Sequence, residues 1–121
     1  MYIPHIYSTV DDEIRRLLTD AIGFEWDAGN ARKVVSRHGV EPGECEQAFL
    51  AEPFLVSFDE THSKSEPRWQ AFGRTSADRW LFLVFTVRNK LVRVLAVRDM
   101  NRKERAHYGK IKERFAKDSG I

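Results

Sequence analysis

The segment 79–98 constrains the fold of this chain more than any other. Its two runs, 79–88 and 91–98, are rich in β-branched and aromatic residues, and the polar pair Asn89-Lys90 separates them. Two such runs around a two-residue connection are typical of a β-hairpin. We therefore predict an antiparallel pair of strands at the centre of a sheet.

A two-residue loop also predicts which side chains share a face, because side chains alternate between the two faces of a strand. The cross-strand pairs predicted for one face are Arg88–Leu91, Thr86–Arg93, Val84–Leu95 and Phe82–Val97. The residues predicted for the other, wholly apolar face are Leu83, Phe85, Val87, Val92, Val94 and Ala96. We expect helices to cover the apolar face, and we expect the functional site where the first face becomes polar and basic near the turn.

Composition limits the class of protein. With 121 residues and 42% hydrophobic content, the chain can bury the core of one domain. No apolar run approaches the length that spans a membrane, and the first residues lack the basic start and apolar stretch of a secretory signal. The lone Cys45 can form no internal disulfide and is predicted to be a core residue. We expect a cytoplasmic protein without a membrane partner.

The net charge of +2 conceals an asymmetry along the chain. Residues 1–60 contain 5 Lys and Arg against 12 Asp and Glu, whereas residues 61–121 contain 15 against 6. Segregated charge of this kind favours a surface that binds polyanions, formed by the later half. The alternative is that folding mixes the charges, because an asymmetry along the sequence need not survive in space.

Hydrophobic periodicity and capping residues predict four helices, and three strands besides the hairpin. The predicted helices are 8–22, 28–37, 41–51 and one that begins at Asn101. The predicted additional strands are 24–27, 54–58 and 67–74. Ser8 or Thr9 is the predicted cap of the first helix, and Asp27 that of the second.

Three patterns predict how the helices face and end. The first helix should bury a stripe formed by Ile14, Leu17, Leu18 and Ile22. In the second helix, Val34 and Val35 should face inward, and Gly39 should end the helix. An Asn101-x-x-Glu104 sequence resembles a capping box at the start of the last helix.

Several motifs, taken together and in order, resemble one protein family. They are Phe24-Glu25-Trp26-Asp27, His38-Gly39-Val40, Glu66-x-Arg68-Trp69, Gly73-Arg74, Thr86-x-Arg88, Arg93, Arg98, Glu104 and Tyr108. Over about residues 24–110 the chain resembles the BrnT family of type II toxin-antitoxin ribonucleases. The resemblance implies an α+β fold similar to the RelE and ParE toxins, with a small antiparallel sheet and central hairpin flanked by helices. It divides the chain into an N-terminal helical extension, 1–23, and a toxin domain, 24–121.

The resemblance also implies a function and its partners. It implies metal-independent RNA cleavage, without a cofactor, and neutralisation by a BrnA-like antitoxin that carries a ribbon-helix-helix DNA-binding domain. Operator DNA would be bound indirectly, through the antitoxin. No spacing of zinc ligands appears in the sequence either, so no metal site is predicted.

Three positions differ from the residues usual in the family. Asn30 stands where a lysine is expected, Val34 where an asparagine is usual, and Ala96 where a serine is usual. Two alternative functions therefore stay open. One is a catalytically inactive protein that acts as co-repressor with its antitoxin, and the other is a generic basic domain that binds nucleic acid.

Cleavage of RNA by attack of its own 2′-hydroxyl requires groups that stabilise negative charge on phosphorus. Guanidinium groups suit this role because they stay charged and present a planar set of donors. We expect Arg88 and Arg93 to fill it, with Arg68 or Arg98 beside them.

The same reaction requires groups that transfer protons, and the candidates are His38, Glu66 and Tyr108. His38 is the first choice because its ordinary pKa lies near neutrality. Each candidate has a structural alternative. His38 could cap a helix C-terminus, Glu66 could pair with Arg68, and Tyr108 could be a core residue with a wet hydroxyl.

Residues for binding RNA are expected around these groups. Trp69 is a candidate for stacking an RNA base, with a place in the core as the alternative. The basic residues predicted to extend the phosphate-binding surface are Arg74, Lys90, Arg102, Lys103 and Arg105.

Overall fold

The structure of the protein is a computed structural model that describes residues 6–8 and 12–118. Six strands and four helices lie within these ranges. The strands are β1 (Ile6–Ser8), β2 (Gly23–Phe24), β3 (Phe54–Phe58), β4 (Trp69–Arg74), β5 (Trp80–Arg88) and β6 (Leu91–Asp99). The helices are α1 (Glu13–Asp20), α2 (Ala28–His38), α3 (Pro42–Ala48) and α4 (Arg102–Asp118). The predicted α+β class is confirmed.

The six strands form one sheet in the order β1-β3-β4-β5-β6-β2. Strands β3 to β6 are antiparallel neighbours, and β5 with β6 forms the predicted hairpin, whereas β1 joins β3 and β2 joins β6 in parallel. Both parallel strands are short and lie at the edges. The sheet is therefore mixed, with an antiparallel centre that contains the hairpin.

The β5–β6 hairpin turns at Asn89 and Lys90, as predicted. Both residues have positive φ, 51° and 64°, which a type I′ turn requires at its two central positions. Arg88 accordingly lies opposite Leu91, and Thr86 lies opposite Arg93. The predicted register is correct over these first pairs.

Farther from the turn the predicted pairs are wrong, because β6 contains a β-bulge. Leu95 is the extra residue, so that β6 advances by one position relative to β5. The pairs beyond the bulge are Val84–Ala96, Leu83–Val97, Phe82–Arg98 and Leu81–Asp99. Val97 therefore enters the core in place of Ala96, which is exposed.

The bulge also decides the position of Arg98. Without it, Arg98 would lie on the core face of the sheet, because side chains alternate along β6. With it, Arg98 lies opposite Phe82, on the face that carries Arg88 and Arg93. We call this surface the polar face.

Helices α1, α2 and α3 cover the other face and form the core with it. Buried residues of these helices pack against buried residues of β3 to β6. Cys45 is among them and is fully buried, as predicted. At Gly73 the backbones of β4 and α3 approach so closely that a Cβ would lie 2.3 Å from the Ala48 carbonyl oxygen. Only glycine fits at this crossing.

The start of the first helix differs from the prediction. α1 begins at Glu13, Ser8 belongs to β1, and Thr9 lies outside the described residues. Ile14 and Leu18 are buried in the common core, but Ile22 is 77% exposed. The helix ends before Ile22, whose backbone N–H donates to the Lys90 carbonyl and begins the pairing of β2 with the hairpin. Whether residues 1–23 are a separate extension stays a prediction.

The predicted caps of α2 and α4 are confirmed, whereas α3, predicted over 41–51, ends at Ala48. Asp27 caps α2, where Gly39 follows with φ 62°, and Asn101 and Glu104 exchange the two hydrogen bonds of a capping box. In α2, Val34 is buried, but Val35 is 37% exposed and does not face the core as predicted. Consecutive residues of a helix differ by about 100° in direction, so only one of the two reaches the core.

Helix α4 packs on the opposite side of the sheet from α1 to α3, at one end of the polar face. Tyr108 anchors this helix, and its side chain is fully buried. Its ring packs edge-on against that of Trp80, with 5.1 Å between the ring centres, and its hydroxyl donates to the Pro53 carbonyl. The hairpin end of the polar face remains partly exposed. None of the helices in the described ranges is long and apolar enough to cross a membrane.

Candidate functional site

The ion pairs of Arg88 and Arg93 lie at the hairpin end of the polar face. Arg88 binds Glu66 through two hydrogen bonds, from Nε to Oε2 at 2.7 Å and from Nη2 to Oε1 at 2.6 Å. The Arg88 side chain is 44% exposed. Its hydrogen bonds hold the pKa of Glu66 below the ordinary value, with smaller contributions from the charges of Arg68 and Arg93. Glu66 therefore stays ionised at neutral pH.

Arg93 is more enclosed than Arg88, with 15% of its side chain exposed. Its Nη1 donates to Glu25 at 3.0 Å and to Asp27 at 2.8 Å, and Nη2 makes a longer contact of 3.4 Å to Asp27. The hydrogen bond from Arg93 lowers the pKa of Asp27, which also caps α2. We call Glu25, Asp27, Glu66, Arg88 and Arg93 the hairpin cluster.

Asn30, where a lysine was expected, fastens α2 to the sheet beside the hairpin cluster. Its Oδ1 accepts from the Asp27 backbone N–H at 2.8 Å, and its Nδ2 donates to the Glu25 and Val94 carbonyls at 3.0 and 3.3 Å. The residue is 5% exposed, so its amide is a buried structural group. The sequence contained a signal for this structural role, because Asn30 lies three residues after the capping Asp27, the position from which a side chain completes a capping box. Val34, the second departure, lies in the core.

A cleft of about 180 Å³ opens where the end of α2 meets the last part of β6. Its lining residues are Lys33, Arg37, His38, Phe82, Ala96, Val97 and Arg98. We call it the α2–β6 cleft. It combines three permanent cations and an imidazole with an apolar floor, so it suits an anionic group attached to an apolar or aromatic one.

Arg98 is held in this cleft by α4. Its Nη1 and Nη2 donate to the two carboxylate oxygens of Glu104 at 2.7 and 2.9 Å, and Nη1 also donates to the Asp99 carbonyl at 3.2 Å. The guanidinium carbon lies 4.3 Å from the centre of the Phe82 ring. The hydrogen bonds from Arg98 lower the pKa of Glu104. Arg98 and His38 therefore line one cleft, with Arg98 fixed.

Lys33, Arg37 and Phe82 line the cleft, although they were not among the predicted site residues. The available signal was the spacing of Lys33 and Arg37, four residues apart on one helix and next to His38. Phe82 carried no signal, because an aromatic residue in a strand is usually part of the core.

Several predicted site residues lie away from the hairpin cluster and the cleft. Tyr108 of α4 is fully buried, and burial raises the pKa of its hydroxyl to about 12. Trp69 is 4% exposed and stacks on Phe85 in the core, the place that was the alternative to base stacking. Arg74 lies near Asp78 at the far end of β4, with 3.6 Å between their closest charged atoms.

The remaining predicted residues surround the polar face. Arg68 lies just before β4, near Glu66, and is partly exposed. Lys90 is exposed at the hairpin turn. Arg102 and Lys103 are exposed on the first turn of α4, and Arg105 lies 4.7 Å above the Trp80 ring. Among the described residues, no three His, Cys, Asp or Glu side chains are arranged to hold a metal ion.

Comparison with known proteins identifies the family. A family model described as "Ribonuclease toxin, BrnT, of type II toxin-antitoxin system" matches residues 26–104, about two thirds of the chain. No curated protein matches the chain. The matched segment contains the α2–β6 cleft and, apart from Glu25, the whole hairpin cluster. The resemblance in the sequence is thus confirmed, and the chain belongs to the BrnT family of ribonuclease toxins of type II toxin-antitoxin systems.

Proposed function

We propose that this ribonuclease toxin cleaves RNA without a metal ion, by attack of the substrate's own 2′-hydroxyl on the adjacent phosphorus. The observation that supports this proposal is the arrangement of the polar face. Arg88, Arg93 and Arg98 all lie on it, and Arg98 shares the α2–β6 cleft with His38.

The paired arginines keep donors for a phosphate. A guanidinium carries five N–H donors. Among the contacts of the described residues, Arg88 uses two of them on Glu66, and Arg98 uses three on Glu104 and Asp99. Their side chains are 44% and 35% exposed, so the remaining donors can reach phosphate oxygens. The carboxylates orient each guanidinium before the substrate arrives, which favours stabilisation of the transition state.

His38 is the group best placed to transfer protons. It is exposed at the end of α2 and lines the cleft beside Arg98. Tyr108 is less suited, because burial raises its pKa to about 12 and its hydroxyl already donates to a carbonyl. Glu66 is held ionised by Arg88, so we propose that it orients Arg88 rather than carries a proton.

The RNA backbone is proposed to run along β6, from the hairpin cluster past the α2–β6 cleft to the first turn of α4. Lys33 and Arg37 flank the cleft on one side, and Arg102 and Lys103 lie on the first turn of α4. Exposed cations on both sides of a cleft attract a polyanion and hold its phosphates.

A type II toxin acts together with an antitoxin. We propose that the partner here is a BrnA-like ribbon-helix-helix protein, that it neutralises the toxin in the cytoplasm, and that operator DNA is reached only through it. The support is the family and the cationic polar face, which an acidic segment of an antitoxin could cover.

The test is cleavage of single-stranded RNA by the purified protein in the presence of a chelator. We expect cleavage that yields 2′,3′-cyclic phosphate ends and that stops when the nucleotide before the cut is 2′-deoxy. Replacing Arg88 and Arg93 together by alanine should lower the rate about a hundredfold or more. Lys110→Ala with Arg114→Ala, on later turns of α4, removes the same charge and should leave the rate unchanged.

Two outcomes would contradict this proposal. Cleavage that requires a divalent cation would exclude the proposed mechanism, and unchanged cleavage by the Arg88 and Arg93 double variant would exclude the proposed site. Because Arg93 also contacts the cap of α2, the thermal unfolding midpoint of each variant must be measured alongside. Arg88→Ala alone, which leaves the contacts of Arg93 intact, is the second variant.

An inactive co-repressor is the second candidate. It is favoured by the carboxylate partners of Arg88, Arg93 and Arg98, and by the replacement of a usual lysine and serine by Asn30 and Ala96. This candidate predicts harmless expression without the antitoxin, together with tighter operator binding by the antitoxin when the protein is added. Growth arrest on expression alone would exclude it.

A further inference from the structure

Arg79, just before β5, has a partner for each of its five N–H donors. Nε and Nη2 bind the Asp99 carboxylate at 2.8 and 3.1 Å. Nη2 also donates to the His38 carbonyl at 2.9 Å, and Nη1 donates to the Gly39 carbonyl at 3.1 Å and to Glu44 at 3.4 Å. Since a guanidinium has five such donors, none is left for a substrate.

These bonds fix the end of α2. The last carbonyls of a helix have no partner within the helix, and here Arg79 binds the last of them, at His38, together with the carbonyl of Gly39 that follows. Its positive charge also lies at the negative end of the helix dipole. Gly39 has φ 62°, which turns the chain out of the helix directly after His38. The backbone of His38 is therefore held on both sides, by the turn and by Arg79.

The same guanidinium fixes the opposite wall of the cleft. Asp99, its bidentate partner, is the last residue of β6 and directly follows Arg98. His38 thus lies on one wall of the α2–β6 cleft and Arg98 on the other. Arg79 binds the backbone carbonyl of His38 and the side chain of Asp99, the residue that follows Arg98. A shift of Arg79 would change the distance between the two groups.

Electrostatics also favour the charged forms of both Arg79 and Asp99. The hydrogen bonds from Arg79 are the main cause that lowers the pKa of Asp99, with smaller contributions from His38 and Arg105. The pair is therefore ionised at neutral pH. A lysine could keep the charge but not the planar set of donors that reaches Asp99 and two carbonyls together.

We infer that Arg79 is a positioning residue: it sets the distance and orientation of His38 relative to Arg98 without touching RNA. The inference depends on the proposed function, because it assigns His38 the transfer of protons. It predicts that changes at Arg79 lower kcat and leave KM nearly unchanged, since Arg79 has no donor for the substrate.

The first experiment compares Arg79→Lys with the wild type in steady-state cleavage of single-stranded RNA. We expect kcat to fall about tenfold, because a misplacement of about 1 Å can cost up to a hundredfold, and KM to stay within about twofold. Arg114→Lys, the same exchange on the exposed side of α4, should change neither constant. A raised KM with unchanged kcat would make Arg79 a substrate-binding residue and overturn the inference, and so would two unchanged constants.

The second experiment needs no RNA cleavage. NMR of histidine-labelled protein gives the pKa of His38, identified by its loss in His38→Gln. The charged groups that line the cleft with His38 are Lys33, Arg37 and Arg98. The charged groups that bind or influence the walls of the cleft are Arg79, Asp99, Glu44, Glu104 and Arg105. Arg79→Met leaves Asp99 and Glu44 without their cation, so the pKa of His38 should rise. In Arg79→Lys, which keeps the charge, the imidazole signals should shift with a smaller change in pKa.

These two experiments separate the inference from the proposed function. If the protein does not cleave RNA but Arg79→Lys, which keeps the charge, shifts the imidazole signals of His38, positioning stands and the nuclease proposal fails. Unaltered imidazole signals in both variants would overturn positioning whatever the cleavage result. If Arg79→Met does not fold, Asp99→Asn keeps the bonds of Arg79 to the two carbonyls and should lower kcat less than Arg79→Lys. A normal kcat in Asp99→Asn and a wild-type rate in Arg79→Lys would together exclude the inference.

Discussion

Arg79 and Arg88 lie at opposite ends of β5, and each binds a carboxylate through two hydrogen bonds. Their surroundings differ. Arg79 is 29% exposed and uses all five donors, whereas Arg88 is 44% exposed and uses two on Glu66. An ion pair by itself therefore does not distinguish an arginine that holds the fold from one that can bind a substrate. The number of donors left over and their exposure make the distinction.

The largest difference should appear in stability. Arg79→Met leaves Asp99, Glu44 and two carbonyls without their donor, and should lower the free energy of unfolding by about 2 kcal/mol. Arg88→Met should change it little, because exposed ion pairs contribute little. Denaturant unfolding of the two variants measures the difference. Equal losses would show that the two arginines have the same structural role.

A smaller effect is expected at Tyr108, which is fully buried, whereas the Arg88 side chain is 44% exposed. Tyr108→Phe removes the hydrogen bond to the Pro53 carbonyl and should lower the free energy of unfolding by about 1 kcal/mol. We expect RNA cleavage to be unchanged, because the Tyr108 side chain is fully buried and its hydroxyl is out of reach of RNA. A large loss of kcat with normal stability would return Tyr108 to the list of catalytic residues. Denaturant unfolding and single-turnover cleavage are the two measurements.

Acid should weaken the ion pairs at the end of the sheet that carries Arg79. Arg98 lowers the pKa of Glu104 below its ordinary value of 4.5, and Arg79 lowers that of Asp99. A carboxylate with a lowered pKa stabilises the folded state above its unfolded pKa, and this stability is lost as the pH falls through the folded value. The free energy of unfolding should therefore fall as the pH drops below about 4.5, with Glu104 contributing about 0.5 kcal/mol. Glu104→Gln should flatten this dependence, and an unchanged slope would contradict it.

The smallest effect concerns salt. If the RNA backbone contacts Arg88, then Arg88→Ala should reduce the slope of log affinity against log salt by about one. For each doubling of the salt concentration, the affinity of the variant should then fall about twofold less than that of the wild type. Arg79→Lys should leave the slope unchanged, because Arg79 contacts no phosphate. Fluorescence anisotropy at several salt concentrations gives both slopes. An RNA affinity of the wild type that hardly changed with salt would contradict every phosphate-binding role proposed here.

Local signals in the sequence predicted the local structure well. The Asn89-Lys90 turn, the cap at Asp27, the glycine after α2 and the Asn101–Glu104 box all form as expected. Each of these features depends on residues within four positions of one another. The edge strands were predicted less well. The pairing of β1 with β3 was not predicted, because nothing within such a short strand specifies a parallel partner almost fifty residues away.

The candidate site was predicted in its residue types more than in its geometry. His38, Arg88, Arg93 and Arg98 were all selected from the sequence. Their sequence positions could not show that Arg93 is enclosed by two carboxylates, or that Trp69 belongs to the core. Arg79 was not selected at all, since its five hydrogen bonds reach four residues in or next to α2, α3 and β6, up to forty-one residues away.

The sequence by itself determined the family, the α+β class, the hairpin and the residue types that RNA cleavage would require, because these follow from local patterns and from motifs in order. Only the tertiary structure decided which arginines share a face and which are already fully bonded. The reason is a single extra residue in β6: the bulge at Leu95 reverses the direction of every side chain after it, and so moves Arg98 from the core face to the polar face. The sequence of β6 does not locate such a bulge, because Leu95, Ala96 and Val97 are all apolar and any of them could face the core.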